Sequence, residues 1–130
     1  MSKLFSITAP DGTNAVPVTG DVISVAGKVE GGDVTRMRVF GKVFRNNETP
    51  PMPPQDSTTP TPTNVTTEAS VDANYDFSFS VAGARAPIPP ALRNGDNKLA
   101  VYLRRADPMT GVAPYQWDGP EVVLFETKLP

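Results

Sequence analysis

The 130-residue sequence contains no cysteine and no histidine. The absence of cysteine excludes disulfides and thiolate nucleophiles, and the absence of histidine excludes imidazole-based catalysis. Together they remove the usual ligands of zinc. Long apolar runs are missing as well, since none approaches the roughly 18 to 20 residues of a helical membrane span. We therefore expect no metal, no cofactor and no membrane partner.

An excess of charge of one sign is also lacking. Twelve basic and fourteen acidic residues leave a net charge of −2, so the molecule has no cationic field to attract nucleic acid. Long helices are disfavoured because 15 prolines and 10 glycines are spread along the chain. The apolar fraction of 38% suffices for one modest core, which predicts a single domain, residues 1–130.

The sequence does contain repeated alternation of apolar and polar residues with a period of two. Seven stretches with this pattern predict strands: residues 4–8, 22–29, 34–44, 64–73, 75–81, 98–105 and 121–127. Clusters of Gly, Pro, Asn and Asp separate most of them. The pattern is typical of an all-β protein, an antiparallel β-sandwich of about seven strands.

The stretch TPPMPPQDSTTPTPTN, residues 49–64, is the Pro/Thr loop. Six of its sixteen residues are proline and five are threonine, which excludes a helix or an interior strand. Three predicted strands precede it and four follow. Neither set alone could bury both faces of a sheet, so the segment is predicted to be a long loop within one domain. We expect it to be partly extended, and to become ordered in an assembly.

Two parts of the chain are similar to the two halves of a known domain. ITAPDGTNAVPVTGDVISVAGKVEGGDVTRMRVF contains an Ile-Thr-x-Pro strand, an Ile-x-Val-x-Gly-x-Val strand and a Gly-Gly turn. YDFSFSV and ALRNGDNKLAVYL supply an aromatic strand and a Gly-Asp-Asn turn. Over residues 5–44 and 72–103 the chain resembles bacterial and phage immunoglobulin-like (Ig-like) domains. The resemblance implies an Ig-like sandwich in which VEGGDV crosses between the sheets. The local alternative is a tight hairpin, and we favour the crossover.

Domains of this family are spacers, adhesive modules and decorations on bacterial surface proteins and phage particles. The resemblance implies a fold and not a reaction. Our first hypothesis is a non-catalytic structural protein: a virion decoration, fibre or tail component that packs against itself, a scaffold or a capsid protein. The expected state is a homo-oligomer or a large assembly. MSKLFSITAP lacks the apolar core of a secretory signal, so we expect a virion assembled in the host cytoplasm, or else a cytoplasmic protein. The alternatives are a glycan- or surface-binding module and a spacer within a larger machine.

Seven residues, all basic, aromatic or large and apolar, are candidate partner contacts: Phe40, Phe44, Met52, Tyr115, Trp117, Arg36 and Arg38. Four of them alternate along the outward face of strand 34–44, where exposed aromatics favour a covering partner. Such a face also suits a glycan, an acidic protein surface or single-stranded nucleic acid, or is simply solvated. The tryptophan and its neighbouring tyrosine lie in a loop, as an interface anchor or as a plug at one end of the sandwich. The methionine is the large apolar side chain of the Pro/Thr loop.

The sequence contains no pattern that predicts catalysis. There is no phosphate-binding loop and no Gly-x-Ser-x-Gly elbow, and the acidic residues are too scattered to suggest a carboxylate pair. DANYD places Asp72, Asn74 and Asp76 as a calcium loop would, but Phe77 stands where such a loop needs glycine. We favour a turn shaped by side-chain to backbone hydrogen bonds, and we expect no enzyme.

Overall fold

The computed structural model describes residues 5–9, 16–17, 22–45, 49–54, 56–62, 65, 67–82, 95–107, 109–110 and 113–128. Eight strands lie within them: β1 Phe5–Ala9, β2 Val16–Pro17, β3 Val22–Val29, β4 Met37–Arg45, β5 Thr67–Ser70, β6 Asp76–Ala82, β7 Gly95–Arg105 and β8 Gln116–Lys128. A single 3-10 turn, Val34–Arg36, precedes β4. The described residues include no helix long and apolar enough to cross a membrane.

The strands form two sheets. One has three strands in the order β1-β3-β6, and the other has five in the order β2-β8-β7-β4-β5. Neighbouring strands are antiparallel, except that the two-residue β2 runs parallel to β8. The predicted all-β architecture with two sheets is therefore confirmed. No alternation predicts β2, because a strand of two residues is too short to show a period.

The main core lies between the two sheets. Its buried members are apolar side chains from both layers: Phe5, Ile23, Val25, Val29, Met37, Val39, Val43, Val71, Phe77, Leu99, Val101 and Leu103. In β3, β4 and β7 these residues follow one another at every second position, because successive side chains of a strand point to opposite faces. Fully burying one such side chain contributes about 1.5–3 kcal/mol relative to leaving it exposed.

The segment between β3 and β4 crosses from one sheet to the other, because these strands belong to different sheets. The crossover prediction is confirmed, and the hairpin alternative is wrong. Gly31 and Gly32 have positive φ angles of 156° and 107°. Asp33 then caps the 3-10 turn, with its side chain accepting from the Thr35 amide at 3.1 Å. Glycine is suited to the positive φ of Gly32, since other residues rarely adopt it.

Most predicted strand boundaries differ from the structure by one to five residues, the starts of β6 and β8 among them. The predicted strand 75–81 begins with Tyr75, but Tyr75 is 39% exposed and has a φ of 65°, so it lies outside the strand. It belongs to a turn in which the Asp72 carboxylate accepts from the amides of Asn74 and Asp76, at 2.8 and 3.0 Å. This is the local turn favoured from the sequence. The last strand begins at Gln116, five residues before the prediction.

Candidate functional site

The Pro/Thr loop lies against the outer face of the five-stranded sheet. Three of its backbone carbonyls accept hydrogen bonds from β7 and from the residue before β8: Pro51 from Tyr102 Oη at 2.6 Å, Ser57 from the Tyr115 amide at 2.7 Å, and Pro60 from Arg104 Nη1 at 2.7 Å. The contacts are spread along the loop, so a segment without regular structure is attached to the sheet at several points.

A second apolar cluster fills the space beneath the loop. Its buried residues are Phe40, Phe44, Val65, Ala100 and Tyr102, with Trp117 packed against them. The expectation that Phe40 and Phe44 are exposed is wrong, since they are 0% and 7% exposed. The chain covers its own outer face, and neither phenylalanine ring presents a surface to a partner in this conformation. We call this group the outer cluster.

Arg104 lies between two aromatic rings at the edge of the outer cluster. Its guanidinium carbon is 5.4 Å from the Phe40 ring centre and 4.5 Å from that of Tyr115. Trp117 packs against Phe40, with the two ring centroids 5.5 Å apart. Arg104 Nε and Trp117 Nε1 are buried and have no hydrogen-bond partner within the described part of the chain. Each unpaired donor costs about 1–3 kcal/mol.

The other basic candidates are already bonded within the chain. Arg36 donates to the Asp33 carboxylate at 3.0 Å and to the Asp107 carbonyl at 3.1 Å. Arg38 donates to Ser70 Oγ at 2.7 Å. The alternation of basic and aromatic residues in β4 therefore does not form an open cationic stripe, because the aromatic side chains are covered and these two arginines are engaged.

Three of the predicted contacts lie together at the surface. Met52, Tyr115 and Trp117 line a shallow depression of about 330 Å³, with Pro53, Pro54, Ser57 and Gly119 completing its wall. Met52 is 68% exposed. Trp117 lies on the outer face of the sheet, so the alternative of a plug at one end of the sandwich is wrong. We call this feature the Met52 depression.

A larger cleft of about 520 Å³ lies beside the β3–β4 crossover. Its lining combines glycine, apolar and charged residues: Gly31, Gly32, Asp33, Arg36, Met37, Ser57, Arg105, Ala106, Asp107, Pro114, Tyr115 and Gln116. The charges balance, with two arginines and two aspartates. Hydrogen bonds from Thr35 hold the pKa of Asp33 below its usual value. We call this feature the end cleft, and Ser57 and Tyr115 line it as well as the Met52 depression.

Tyr102 and Arg104, which hold the loop, were not among the predicted site residues. A signal for them was present in β7, where Ala100 and Tyr102 occupy positions facing away from the main core. β4 likewise has Phe40 and Phe44 on that face. Strands that are apolar on both faces are typical of a sheet covered on both sides, which would have predicted a cover over the outer face.

The described residues contain no group of three or more acidic side chains able to hold a metal ion. The geometry defines a two-sheet β protein whose outer face is covered by its own Pro/Thr loop, with two depressions at the border of that loop. No protein-family model, curated protein or solved structure matches this chain.

Proposed function

We propose that the chain is an Ig-like β-sandwich that works as a non-catalytic structural protein and associates through the Met52 depression. Strand order supports the Ig-like part. The order β8-β7-β4-β5 corresponds to strands G-F-C-C′ of an Ig variable-type sheet, and β1-β3-β6 corresponds to A-B-E. The crossover between β3 and β4 corresponds to the B–C connection of that topology.

The observation that carries the proposal is the grouping of Met52, Tyr115 and Trp117 in one open depression. Tyrosine and tryptophan are enriched among the residues that dominate binding energy at protein interfaces. Apolar surface continues along β8, where Val122 and Leu124 are 42% and 55% exposed. Exposed apolar side chains concentrated on one side of a small domain favour a protein partner.

The occupant we propose for the depression is a second copy of this chain, in a homo-oligomer or larger assembly. A scaffold or capsid protein is the other partner that the same surface suits. The setting, a virion decoration, fibre or tail component, is supported by the sequence resemblance of residues 5–44 and 72–103 alone.

The test compares two exposed methionines. Met52→Asp places a charge in the depression, whereas Met109→Asp places the same charge at a residue that is 90% exposed and lines neither depression. Light scattering over a range of protein concentrations measures association. We expect the wild type and Met109→Asp to associate and Met52→Asp to remain monomeric. A wild type that is monomeric throughout, or equal behaviour of the two variants, would contradict the proposal.

A glycan- or surface-binding module is the second candidate, and the end cleft is the observation that favours it. A charge-neutral lining that combines Tyr115 with arginine and aspartate side chains suits a neutral ligand with many hydroxyl groups. The test is titration of the monomer with neutral oligosaccharides, followed by Trp117 fluorescence. Tyr115→Ala should abolish binding, and Met52→Asp should leave it unchanged because Met52 does not line the end cleft.

A further inference from the structure

We propose that the Pro/Thr loop is exchanged between copies of the chain, so that in the assembly the loop of one copy lies across the outer face of another. The proposal rests on the self-association proposed above and adds a second contact between the associated copies. The loop would make on its neighbour the contacts that it makes on its own chain. The partner is thus a second copy, and the surface is the outer cluster with the hydrogen-bond donors around it.

The first support is the fit between the loop and the face, which the structure shows directly. The three hydrogen bonds from Tyr102, Arg104 and Tyr115 all end on loop carbonyls. Every copy presents these donors at the same spacing. A loop from a neighbouring copy is therefore complementary to the face without any new contact, which is why exchange of identical elements is a low-cost route to oligomers.

The second support is the reach of the loop. Twenty-one residues, 46–66, separate the end of β4 at Arg45 from the start of β5 at Thr67. Proline-rich segments extend by about 3.1 Å per residue. With both ends attached, such a segment reaches about 30 Å from the strand ends and back. This is comparable to the roughly 36 Å width expected of a compact domain of this length, so the loop can cross to a neighbour in contact.

The third support is the balance between the open and closed positions of the loop. A loop that leaves its own chain uncovers Phe40, Phe44 and Tyr102, and an apolar cluster of this size does not remain in water without a cover. Among the described residues, closure leaves the side-chain nitrogens of Arg104 and Trp117 without acceptors, which lowers the cost of opening. The uncovered face therefore favours association, and the loop of a neighbour is the cover that fits.

An exchanged loop makes the same contacts as a loop on its own chain. The local concentration of available faces therefore decides whether the loop binds its own chain or a neighbour. In a dilute monomer the loop's own tether keeps it near its own face at an effective concentration in the millimolar range. In a packed assembly the faces of neighbours are present at similar concentration. We therefore expect the loop on its own chain in dilute solution and on a neighbour in the assembly.

The experiment uses the absence of native cysteine. One chain carries Ser57→Cys alone and a second carries Tyr115→Cys alone, since the Ser57 carbonyl and the Tyr115 amide are 2.7 Å apart. The two chains are mixed as monomers, concentrated until light scattering shows assembly, and oxidised. Ser57 and Tyr115 also line the Met52 depression. The same mixture is therefore made with Pro60→Cys and Arg104→Cys and a short bismaleimide, because neither residue lines the depression and Arg104 Nη1 lies 2.7 Å from the Pro60 carbonyl. Mixed-chain dimer at both pairs forms efficiently only when the loop of one chain lies on the face of the other. The control mixture pairs Ser57→Cys with Met109→Cys and measures random collision.

We expect the Ser57–Tyr115 mixture to give roughly tenfold more mixed-chain dimer than the control, because tethering on a face raises the local concentration of the thiols. The chain with both cysteines should form its disulfide internally when dilute. If loss of the Tyr115 ring prevents folding, Ser57→Cys is paired with Gln116→Cys and a short bismaleimide, since both residues line the end cleft.

Two results overturn the exchange. Assembly with mixed-chain dimer at the control level would show that the loop stays on its own chain, and self-association through the Met52 depression would then stand without exchange. A mixture that stays monomeric at every concentration would overturn both proposals. Light scattering on the same samples separates the two cases.

Discussion

Tyr102 donates a 2.6 Å hydrogen bond from its hydroxyl group to the backbone carbonyl of Pro51. The tyrosine lies in β7, near the middle of the five-stranded sheet, and is 0% exposed. The Tyr102 hydroxyl and the Pro51 carbonyl therefore satisfy each other's hydrogen-bonding capacity away from solvent. The bond attaches the Pro/Thr loop to a buried residue of the outer cluster. Neither residue was predicted from the sequence to be functional, yet their contact is one of three hydrogen bonds that hold the loop over the outer cluster.

Replacing Tyr102 by phenylalanine tests this contact while keeping the ring. We expect Tyr102→Phe to lower the free energy of unfolding by about 1 kcal/mol, the usual net contribution of one such hydrogen bond. Urea denaturation measures the change. Tyr75→Phe is the matched control, because Tyr75 is 39% exposed and lies in a turn, and it should change stability by less than about 0.5 kcal/mol. Equal losses in the two variants would contradict the role given to the contact.

Tyr102 also predicts how stability depends on pH. Burial raises the pKa of Tyr102 from 10.0 to about 12, because desolvation disfavours the phenolate. The unfolded chain loses this proton near pH 10 and the folded chain near pH 12. The stabilisation is therefore fully present below pH 10 and is lost as pH rises through that window. In denaturation series from pH 9 to 12, Tyr102→Phe should show a smaller fall than the wild type. Parallel curves for the two proteins would exclude this account.

Arg104 tests the ring contacts that hold the loop. Lysine keeps the charge but cannot lie flat between Phe40 and Tyr115 while donating to Pro60. We expect Arg104→Lys to cost about 1–2 kcal/mol of stability and to speed cleavage of the loop by a broad-specificity protease. Arg38, its partner across the strands, donates to Ser70 in an exposed position. Arg38→Lys should leave both stability and cleavage rate close to those of the wild type.

The main core could be predicted from the sequence, whereas the identity of the segment that covers the outer cluster could not. Alternation in VISVAGKV predicts that Ile23, Val25 and Val29 share one face, and all three are buried. The same alternation in β4 correctly put Phe40 and Phe44 together on the other face. It could not show what covers them, because the cover is a proline-rich segment without any period. A period of two identifies the two faces of a strand and carries no information on what lies beyond each face.

The errors at strand ends have local causes. The alternation in YDFSFSV predicted a strand that begins one residue too early, at Tyr75. The hydrogen bonds that the Asp72 side chain accepts from the backbone hold Tyr75 in a turn, and the alternation of apolar and polar residues contains no information on such bonds. β8 was started too late because proline usually excludes an interior strand. Pro120 is accommodated where the pairing of β7 with β8 shifts register, between Val101 and Leu103, and such irregularities are where strands accept proline.

Substitutions at Trp117 test how its buried indole N–H affects stability. Trp117→Phe removes a buried donor that has no partner in the part of the chain that the structure describes, and it keeps an aromatic ring beside Phe40. The variant no longer has the cost of burying this N–H, but it loses the packing contacts of the larger indole ring. These two effects on the free energy of unfolding should nearly cancel, so that stability stays within about 1 kcal/mol of the wild type. Trp117→Ala removes the ring and should cost about 2–3 kcal/mol, less than for a fully buried tryptophan. Thermal denaturation separates the two variants, and a loss in Trp117→Phe as large as in Trp117→Ala would argue that the indole nitrogen is satisfied.

Gly27 tests the register of the three-stranded sheet. It lies opposite Ile7 in β1 and Phe77 in β6, and a methyl group there would overlap the Phe77 ring and the carbonyl oxygen of Ser6. Since the backbone of β1 cannot move aside without breaking its pairing, we expect Gly27→Ala to cost about 3 kcal/mol, the upper end of the range for overpacking. Ser24→Ala is an exposed change in the same strand and should stay within about 0.5 kcal/mol of the wild type. Urea denaturation of both variants measures the difference, and a tolerated Gly27→Ala would mean that β1 and β3 pair in a different register.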